Sequence, residues 1–326
     1  MSTQDIIKKG WCPSLEKPME TGDGMLVRIP IKFGQVSTDV ALKIAALATK
    51  YGNGHLDLSA RGNLQLRGVS EKTYEPLRDE LSRLGFERDL LLHIIASPID
   101  KNAQEIAEEL RVKCAERGVN LPEKFLIVID GGGVFPLSAI PCDLYINTEC
   151  ADIQEILFTL RNIKKCDKKP AVINTPPPSL GFIPLSEQSG VVCVAAPFGR
   201  IEAEQLVKLA EIAENFSAGK IIFAPFRRII LPDITSAKAN SALQSLENSG
   251  FIVKNGDSRL NIHACVGAPA CSSALGETRS LAQKWAADFP NLTQTVHITG
   301  CSKGCAYKGK ADIVITATET GYDIAV

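Results

Sequence analysis

Two pairs of cysteines near the end of the chain carry its most specific chemistry. Cys265-Val-Gly-Ala-Pro-Ala-Cys271 separates one pair by five residues, and Cys301-Ser-Lys-Gly-Cys305 separates the other by three. Four thiolates at two close spacings suit a [4Fe–4S] cluster, in which each iron takes one cysteine sulfur. A tetrahedral zinc site is the nearest competitor, but its pairs usually sit two to four residues apart, and five is long for that. Gly267, Ala268 and Gly304 in the gaps leave room for a bulky cluster and leave backbone N–H groups to donate to its sulfides. Cys265, Cys271, Cys301 and Cys305 are therefore the candidate metal- and cofactor-binding residues. The remaining cysteines of the ten, Cys12, Cys114, Cys142, Cys150, Cys166 and Cys193, are scattered and read as small buried hydrophobes.

Other chemistry-bearing residues are less diagnostic. The four histidines are His55, His93, His263 and His297; His263 precedes Cys265 by two residues and His297 precedes Cys301 by four. Iron that activates O2 commonly takes two histidines and a carboxylate. No spacing here assigns such a set, and a lone histidine on a strand reads first as a hydrogen-bonded structural residue. No residue is assigned a catalytic role. Asp130-Gly131-Gly132-Gly133 lacks both the G-x-G-x-x-G spacing and the lysine of a P-loop, so it reads as a sharp turn. With no dinucleotide fingerprint in the sequence, electrons are expected from a separate reductase, entering through the cluster.

Composition narrows the setting. A chain of 326 residues has room for about two domains of ~150 residues each. Its net charge of −1 gives no drive toward non-specific binding of nucleic acid or an anionic membrane, so an anionic ligand must be met by local basic clusters. Ten cysteines in a chain of this size point to metal or redox chemistry rather than a disulfide framework. The first ten residues carry two lysines with no apolar stretch behind them, which reads against a secretory leader. The longest apolar run, Val191 to Phe198, falls far short of the ~18 residues that span a bilayer and reads as a buried strand. A soluble, cytoplasmic protein is expected, with no nucleic-acid or membrane partner.

The elements that must position the cysteines come from a duplication. Gly24 to Phe86 recurs, diverged, from Gly190 to Phe251. Each copy opens with a hydrophobic strand and passes through a glycine, Gly34 or Gly199, into an amphipathic helix. Val40, Ile44 and Leu47 share one face of the first helix; Leu206, Leu209 and Ala213 share one face of the second. A strand pair and a closing helix follow in both. This order predicts an α+β fold of two ferredoxin-like half-domains related by a pseudo-twofold axis, each followed by an α/β segment, with a cleft between the halves. In the first such segment, helices are expected near Ala103 to Arg117 and Ile153 to Asn162, around the strand Lys124 to Asp130; Asn174 to Gly181, with three consecutive prolines, reads as a linker. The expected boundaries are 1–96, 97–180, 181–256 and 257–326, the last carrying the cysteines.

A C-x5-C pair followed by a C-x3-C pair, downstream of a duplicated half, resembles the sulfite and nitrite reductase superfamily. LSARGNLQLRG and LPEKFLIVIDGGG are similar to two further motifs of that group, and the resemblance covers nearly the whole chain. In those proteins the last cysteine also bridges the cluster to a sirohaem iron. A narrower resemblance rests on KKGWCPSLEKPMETGDGMLVRI, ACVGAPACSSALGETR and VHITGCSKGCAYKGKA, which are similar to the precorrin-3B synthase family. That resemblance implies a [4Fe–4S] cluster, a mononuclear non-haem iron and a monooxygenase. Such an enzyme takes precorrin-3A and O2, hydroxylates C20 and closes a γ-lactone in aerobic cobalamin synthesis. A sirohaem-dependent sulfite or nitrite reductase is the alternative, and a non-catalytic iron–sulfur electron-transfer or sensing protein is a third. One departure favours the first: where sulfite reductases carry two lysines flanking a phenylalanine, this chain keeps Lys124 but has Leu126, and losing a cation weakens the hold on a small oxyanion. A second departure bears on both, since the chain stops at Val326, sooner after the cysteines than the resemblance implies; a compact variant and an incomplete chain stay open.

Precorrin-3A carries eight carboxylates on an apolar ring, which asks for arginine, lysine and amide donors around a pocket. Arg61, Asn63, Gln65 and Arg67 lie at period two and are expected on one face of a strand. Arg227 and Arg228 occupy the equivalent place in the second half, and Lys303, Lys308 and Lys310 surround the last cysteine pair. With Lys124, implied by the resemblance, the expected substrate-binding residues are Arg61, Asn63, Gln65, Arg67, Lys124, Arg227, Arg228 and Lys303.

Overall fold

A computed structural model describes residues 12–86, 93–122, 125–163, 177–307 and 309–326. Lys124, Lys308, Cys166 and the start of the proline-rich linker lie outside the described residues.

The first repeat runs β1 (Met19–Thr21), β2 (Gly24–Ile29), β3 (Gln35–Ser37), α1 (Thr38–Tyr51), β4 (His55–Leu58), β5 (Leu64–Val69) and α2 (Glu71–Arg83). The first α/β segment follows as β6 (His93–Ala96), α3 (Lys101–Glu116), β7 (Leu126–Asp130), β8 (Leu144–Asn147) and α4 (Ile153–Asn162). The second repeat is β9 (Gly181–Pro184), β10 (Ser189–Ala195), β11 (Arg200–Glu202), α5 (Ala203–Phe216), β12 (Lys220–Ala224), β13 (Arg228–Thr235) and α6 (Ala239–Asn248). Last come β14 (Ile262–Ala264), α7 (Arg279–Asp288), β15 (Val296–Thr299), β16 (Ile313–Thr318) and β17 (Gly321–Ala325).

The two repeats match element for element, as their sequences imply. What the sequence conceals is that they exchange strands. The first sheet has the order β1-β2-β5-β4-β11 and the second β3-β12-β13-β10-β9, so each is finished by a short strand of the other repeat. Ile201 of β11 sits opposite Leu56, and Val36 of β3 opposite Ile221, both in antiparallel register. Helices α1 and α5 pack against each other, and their apolar faces share one core with the inner faces of both sheets. Ile44, Leu206 and Leu209 are buried in that core as the helical periodicity predicts. Helix α1 starts at Ser37, whose hydroxyl accepts from the Val40 amide. Helix α2 starts at Ser70, which forms a capping box with Thr73.

The same backbone device places both exchanged strands. Phe33-Gly34 and Phe198-Gly199 each adopt two consecutive left-handed residues, with φ of 51 and 70° in the first copy and 52 and 73° in the second. The glycines let the chain pass close to a strand of the opposite repeat, Gly34 beneath the Phe223 carbonyl and Gly199 beneath that of Leu58.

The α/β segments form two further layers. Strands β6, β7 and β8 are parallel, and all five residues of β7 are buried. Ile127 and Ile129 face α3 and α4, whereas Leu126 and Val128 share a core with β10, β12 and β13. The strand His93–Ala96, on the repeat side of the expected 96/97 boundary, is hydrogen-bonded into this second unit. At the far end β14, β15 and β16 are parallel and β17 closes the sheet antiparallel. Phe198, from the left-handed turn of the second repeat, is buried in the core of this last sheet. Asp130-Gly131-Gly132-Gly133 is the expected turn: the Asp130 carboxylate accepts from the amides of Gly132 and Leu137 and from the Tyr145 hydroxyl. Among the described residues no helix is long and apolar enough to cross a membrane.

A side chain at Gly34 would meet both the strain of positive φ and the Phe223 carbonyl oxygen. Gly34→Ala is therefore expected to lower stability by more than about 2 kcal/mol, read from the urea denaturation midpoint.

Candidate functional site

Parallel pairing of β14 and β15 sets Ala264 beside Ile298, so the chain leaves both strands at the same end of the sheet, into Cys265 and into Gly300-Cys301. The Gly300 amide donates to the Cys265 sulfur at 3.2 Å, a contact suited to a thiolate acceptor. Between the two pairs the chain folds back on itself. The Cys271 amide donates to the Gly267 carbonyl, and the Leu275 amide to that of Gly300. Gly267, at φ 68°, lies so close to the Thr278 hydroxyl and amide that a Cβ would collide with both.

Cys265, Cys271, Cys301 and Cys305 line one cavity of about 280 Å³. Its other walls come from the two repeats: Asp57, Gln65 and Arg67 from the first, Phe198 and Arg227 from the second. Among the described residues, no three Cys, His, Asp or Glu side chains gather into a group that could hold a lone metal ion. The four cysteines instead share the lining of one cavity, which has room for a body larger than one ion. Four sulfur donors with glycine amides beside them match the needs of a [4Fe–4S] cluster better than those of zinc. The same described residues provide no two-histidine, one-carboxylate set for a mononuclear iron. His55 pairs with Glu202 at 3.3 Å. His263 stacks on Tyr307 with centroids 4.2 Å apart, and His297 meets the same ring edge-on. Burial, with the charge of Arg227 and the proximity of His297, pushes His263 down to about 4, so its ring is neutral near pH 7.

Beneath this cavity lies an ion cluster centred on Asp57. Its carboxylate accepts from Arg279 at 2.8 Å, from Arg200 at 3.0 Å and from Arg67 at 3.4 Å. Asp23, on the β1–β2 turn, takes two more bonds from Arg67, at 2.7 and 3.0 Å. Burial alone pushes the Asp57 carboxyl up, but the charges of Arg279, Arg200 and Arg67 outweigh it and hold it at about 2.

These contacts correct three sequence expectations. Arg67 is 2% exposed, and its guanidinium is spent on Asp23, Asp57 and the Ala270 carbonyl, leaving little to offer a substrate carboxylate. Its effect on the site is indirect: with the Gly22 amide it pins Ala270, the neighbour of Cys271. Arg61 and Asn63 do not share a strand face with Gln65 and Arg67, because β4 stops at Leu58 and β5 starts at Leu64. The intervening residues form a turn closed by Ser59–Asn63 and Gly62–Ser59 backbone bonds. Arg228 is 7% exposed, lies opposite Ala195 and Ala224 as the first residue of β13, and lines neither cavity, whereas Arg227 precedes the strand in a left-handed turn at φ 58°.

Arg61 and Asn63 instead face a second cavity of about 570 Å³. The turn that carries them and the opposed turn at Pro225–Arg227 line both cavities, Arg61 and Pro225 on the larger, Ser59 and Arg227 on the smaller. Lys17, Arg28, Lys32, Arg61 and Arg111 bring five cations to the larger cavity against the carboxylates of Glu16 and Glu108. Phe33, Phe223 and Leu126 supply apolar wall. Gln65 and Arg227 line the smaller cavity, as does Lys303, whose ammonium donates to the Ser273 hydroxyl at 2.8 Å. Sequence reasoning missed Asp57, Arg200 and Arg279. An acid set between leucines in a strand, and arginines following the second Phe-Gly turn and the first cysteine pair, were the available signals.

Because Asp57 is depressed in the folded state, its contribution to stability is complete above its ordinary value of 3.8 and is lost as pH falls toward about 2. Urea denaturation across this window should show a loss of about 2 kcal/mol from this residue, absent in Asp57→Asn.

Residues 17–84 and 185–249 match the family model described as nitrite/sulfite reductase ferredoxin-like half domain. The chain is 26% identical over 391 residues to precorrin-3B synthase of Sinorhizobium sp, covering 98% of this chain and 83% of that protein. To sulfite reductase (ferredoxin) 2 of Mycolicibacterium paratuberculosis it is 27% identical over 154 residues, 44% of this chain and only 28% of the reductase. The structure of Mycobacterium tuberculosis NirA protein superposes with a TM-score of 0.68 at 18% identity, covering 92% of this chain and 73% of that one. The chain thus carries two segments similar to the nitrite/sulfite reductase ferredoxin-like half domain, one in each repeat.

Proposed function

We propose that this chain is a precorrin-3B synthase, an oxygen-dependent monooxygenase that hydroxylates C20 of precorrin-3A and forms the γ-lactone of precorrin-3B. The observation that carries the reading is the gathering of four cysteines on one cavity wall, between two half-domains whose other walls are rich in arginine. Similarity to precorrin-3B synthase along 98% of the chain supports the same assignment.

In this reading Cys265, Cys271, Cys301 and Cys305 hold a [4Fe–4S] cluster, which supplies single electrons received from a separate reductase. Arg61, Asn63, Lys17, Arg28, Lys32 and Arg111 meet carboxylates of the tetrapyrrole in the larger cavity, with Lys124 a further candidate. Gln65, Arg227 and Lys303 meet those that reach the smaller one. Phe33, Phe223 and Leu126 lie against the apolar ring. A planar guanidinium holds a carboxylate through paired bonds, so these arginines orient the macrocycle as well as attract it. Since the described residues present no ligand set for a mononuclear iron, no step is assigned to one.

The reading as a sirohaem sulfite or nitrite reductase draws on the half-domain match, which it shares. Leu126 argues against it: where the resemblance implies a second lysine, the larger cavity has a leucine that is 1% exposed.

Protein purified without oxygen should carry iron and sulfide, lack the visible bands of sirohaem, and convert precorrin-3A to precorrin-3B when given O2 and electrons. Tightly bound sirohaem with sulfite or nitrite turnover would move the assignment to the alternative. Cys301→Ser is expected to lose iron and sulfide together. Arg227→Ala is expected to raise the KM for precorrin-3A about tenfold or more, the scale of one charge-assisted hydrogen bond.

A further inference from the structure

We propose that Asp57 and the arginines around it set the charge felt by the cluster, so that this carboxylate is a positioning residue that tunes the reduction potential. The inference rests on the cluster reading of the four cysteines and concerns residues that make no bond to it.

Asp57, Arg67, Arg227 and Arg279 all line the cavity that the cysteines line. Arg200 reaches the same carboxylate from β11. Four guanidinium groups, Arg67, Arg200, Arg227 and Arg279, thus face two carboxylates, Asp57 and Asp23, in a desolvated region. The Arg227 guanidinium has no hydrogen bond or short ion pair to any described residue. The Nε of Arg279 is buried and has no hydrogen-bond partner among them. A cage with surplus positive charge is costly when empty. It is well matched to an anion, and a cubane cluster with four thiolates is one, gaining a further negative charge on reduction. Positive charge nearby favours the reduced form and raises the potential; Asp57 opposes that by cancelling part of it.

The arrangement makes a signed prediction that a purely structural role does not. Removing the negative charge in Asp57→Asn should shift the cluster midpoint potential upward, whereas removing a positive one in Arg279→Gln or Arg200→Gln should shift it downward. Arg279→Lys, which keeps the charge, should stay near the wild-type value. The experiment is a dye-mediated dithionite titration followed by electron paramagnetic resonance on whole protein, without substrate, with iron and sulfide measured in each sample. Arg200→Gln, on the β11 side of Asp57 and outside the cavity lining, carries the test if the other variants fail to fold. Opposite shifts for acid and base support the proposal. Loaded proteins whose potentials are unchanged, or all move one way, overturn it. A wild-type protein without iron and sulfide overturns the cluster reading itself, and this inference with it.

Discussion

One buried carboxylate must be shared among three arginines that arrive from different parts of the chain, and the site is assembled around that requirement. Arg67 comes from β5 of the first repeat, Arg200 from β11 of the second and Arg279 from α7 of the cysteine-bearing segment. Charges removed from water are tolerable only when paired, so each guanidinium has one favourable place and brings its element there. The stability of the chain comes mainly from its apolar cores, whose driving force is non-directional. The contacts to Asp57 add direction where the layers meet. A buried ion cluster of this kind adds little net stability and much registration.

Duplication supplies the frame, and divergence supplies the chemistry. The turns after β4 and β12 are equivalent in the two repeats and oppose each other, the Phe226 amide donating to the Ala60 carbonyl across the interface. Their side chains differ: the first presents Arg61 and Asn63 to the larger cavity, the second Arg227 to the smaller. The α/β segments diverge further. In the first, β7 ends in an aspartate that ties down a glycine turn. In the second, the corresponding ends of parallel strands run into cysteines. A duplicated scaffold thereby carries closely paired cysteines on one side only.

Much of this was legible in the sequence because its signals are local. The cysteine spacings, the helical periodicity of Ile44-Leu47 and Leu206-Leu209, and the paired glycines Gly34 and Gly199 all act within a few residues. Burial of those helical faces and the common cavity of the four thiols follow from them. The period-two reading of Arg61 to Arg67 failed because the turn at Ser59–Asn63 interrupts the alternation. No propensity argument sees a turn that is stabilised by the opposite repeat. Spacing and repeat equivalence point Arg67 and Arg228 toward the substrate, but neither signal carries information about distant partners. The partners of Arg67, Asp23 and Ala270, lie 44 and 203 residues away, and only the folded chain brings them together. Strand exchange was hidden for the same reason: β3 and β11 are three residues each, too short to carry a pattern.

Crossed strands also govern how the molecule behaves as a machine. Many proteins that enclose a ligand between two lobes do so by swinging about a hinge. Here β11 is stitched into the first sheet and β3 into the second, so parting the lobes would tear backbone hydrogen bonds on both sides at once. The cleft is therefore a fixed vault rather than a jaw. Neither lobe expressed alone would have a finished sheet, since each borrows its edge strand from the other.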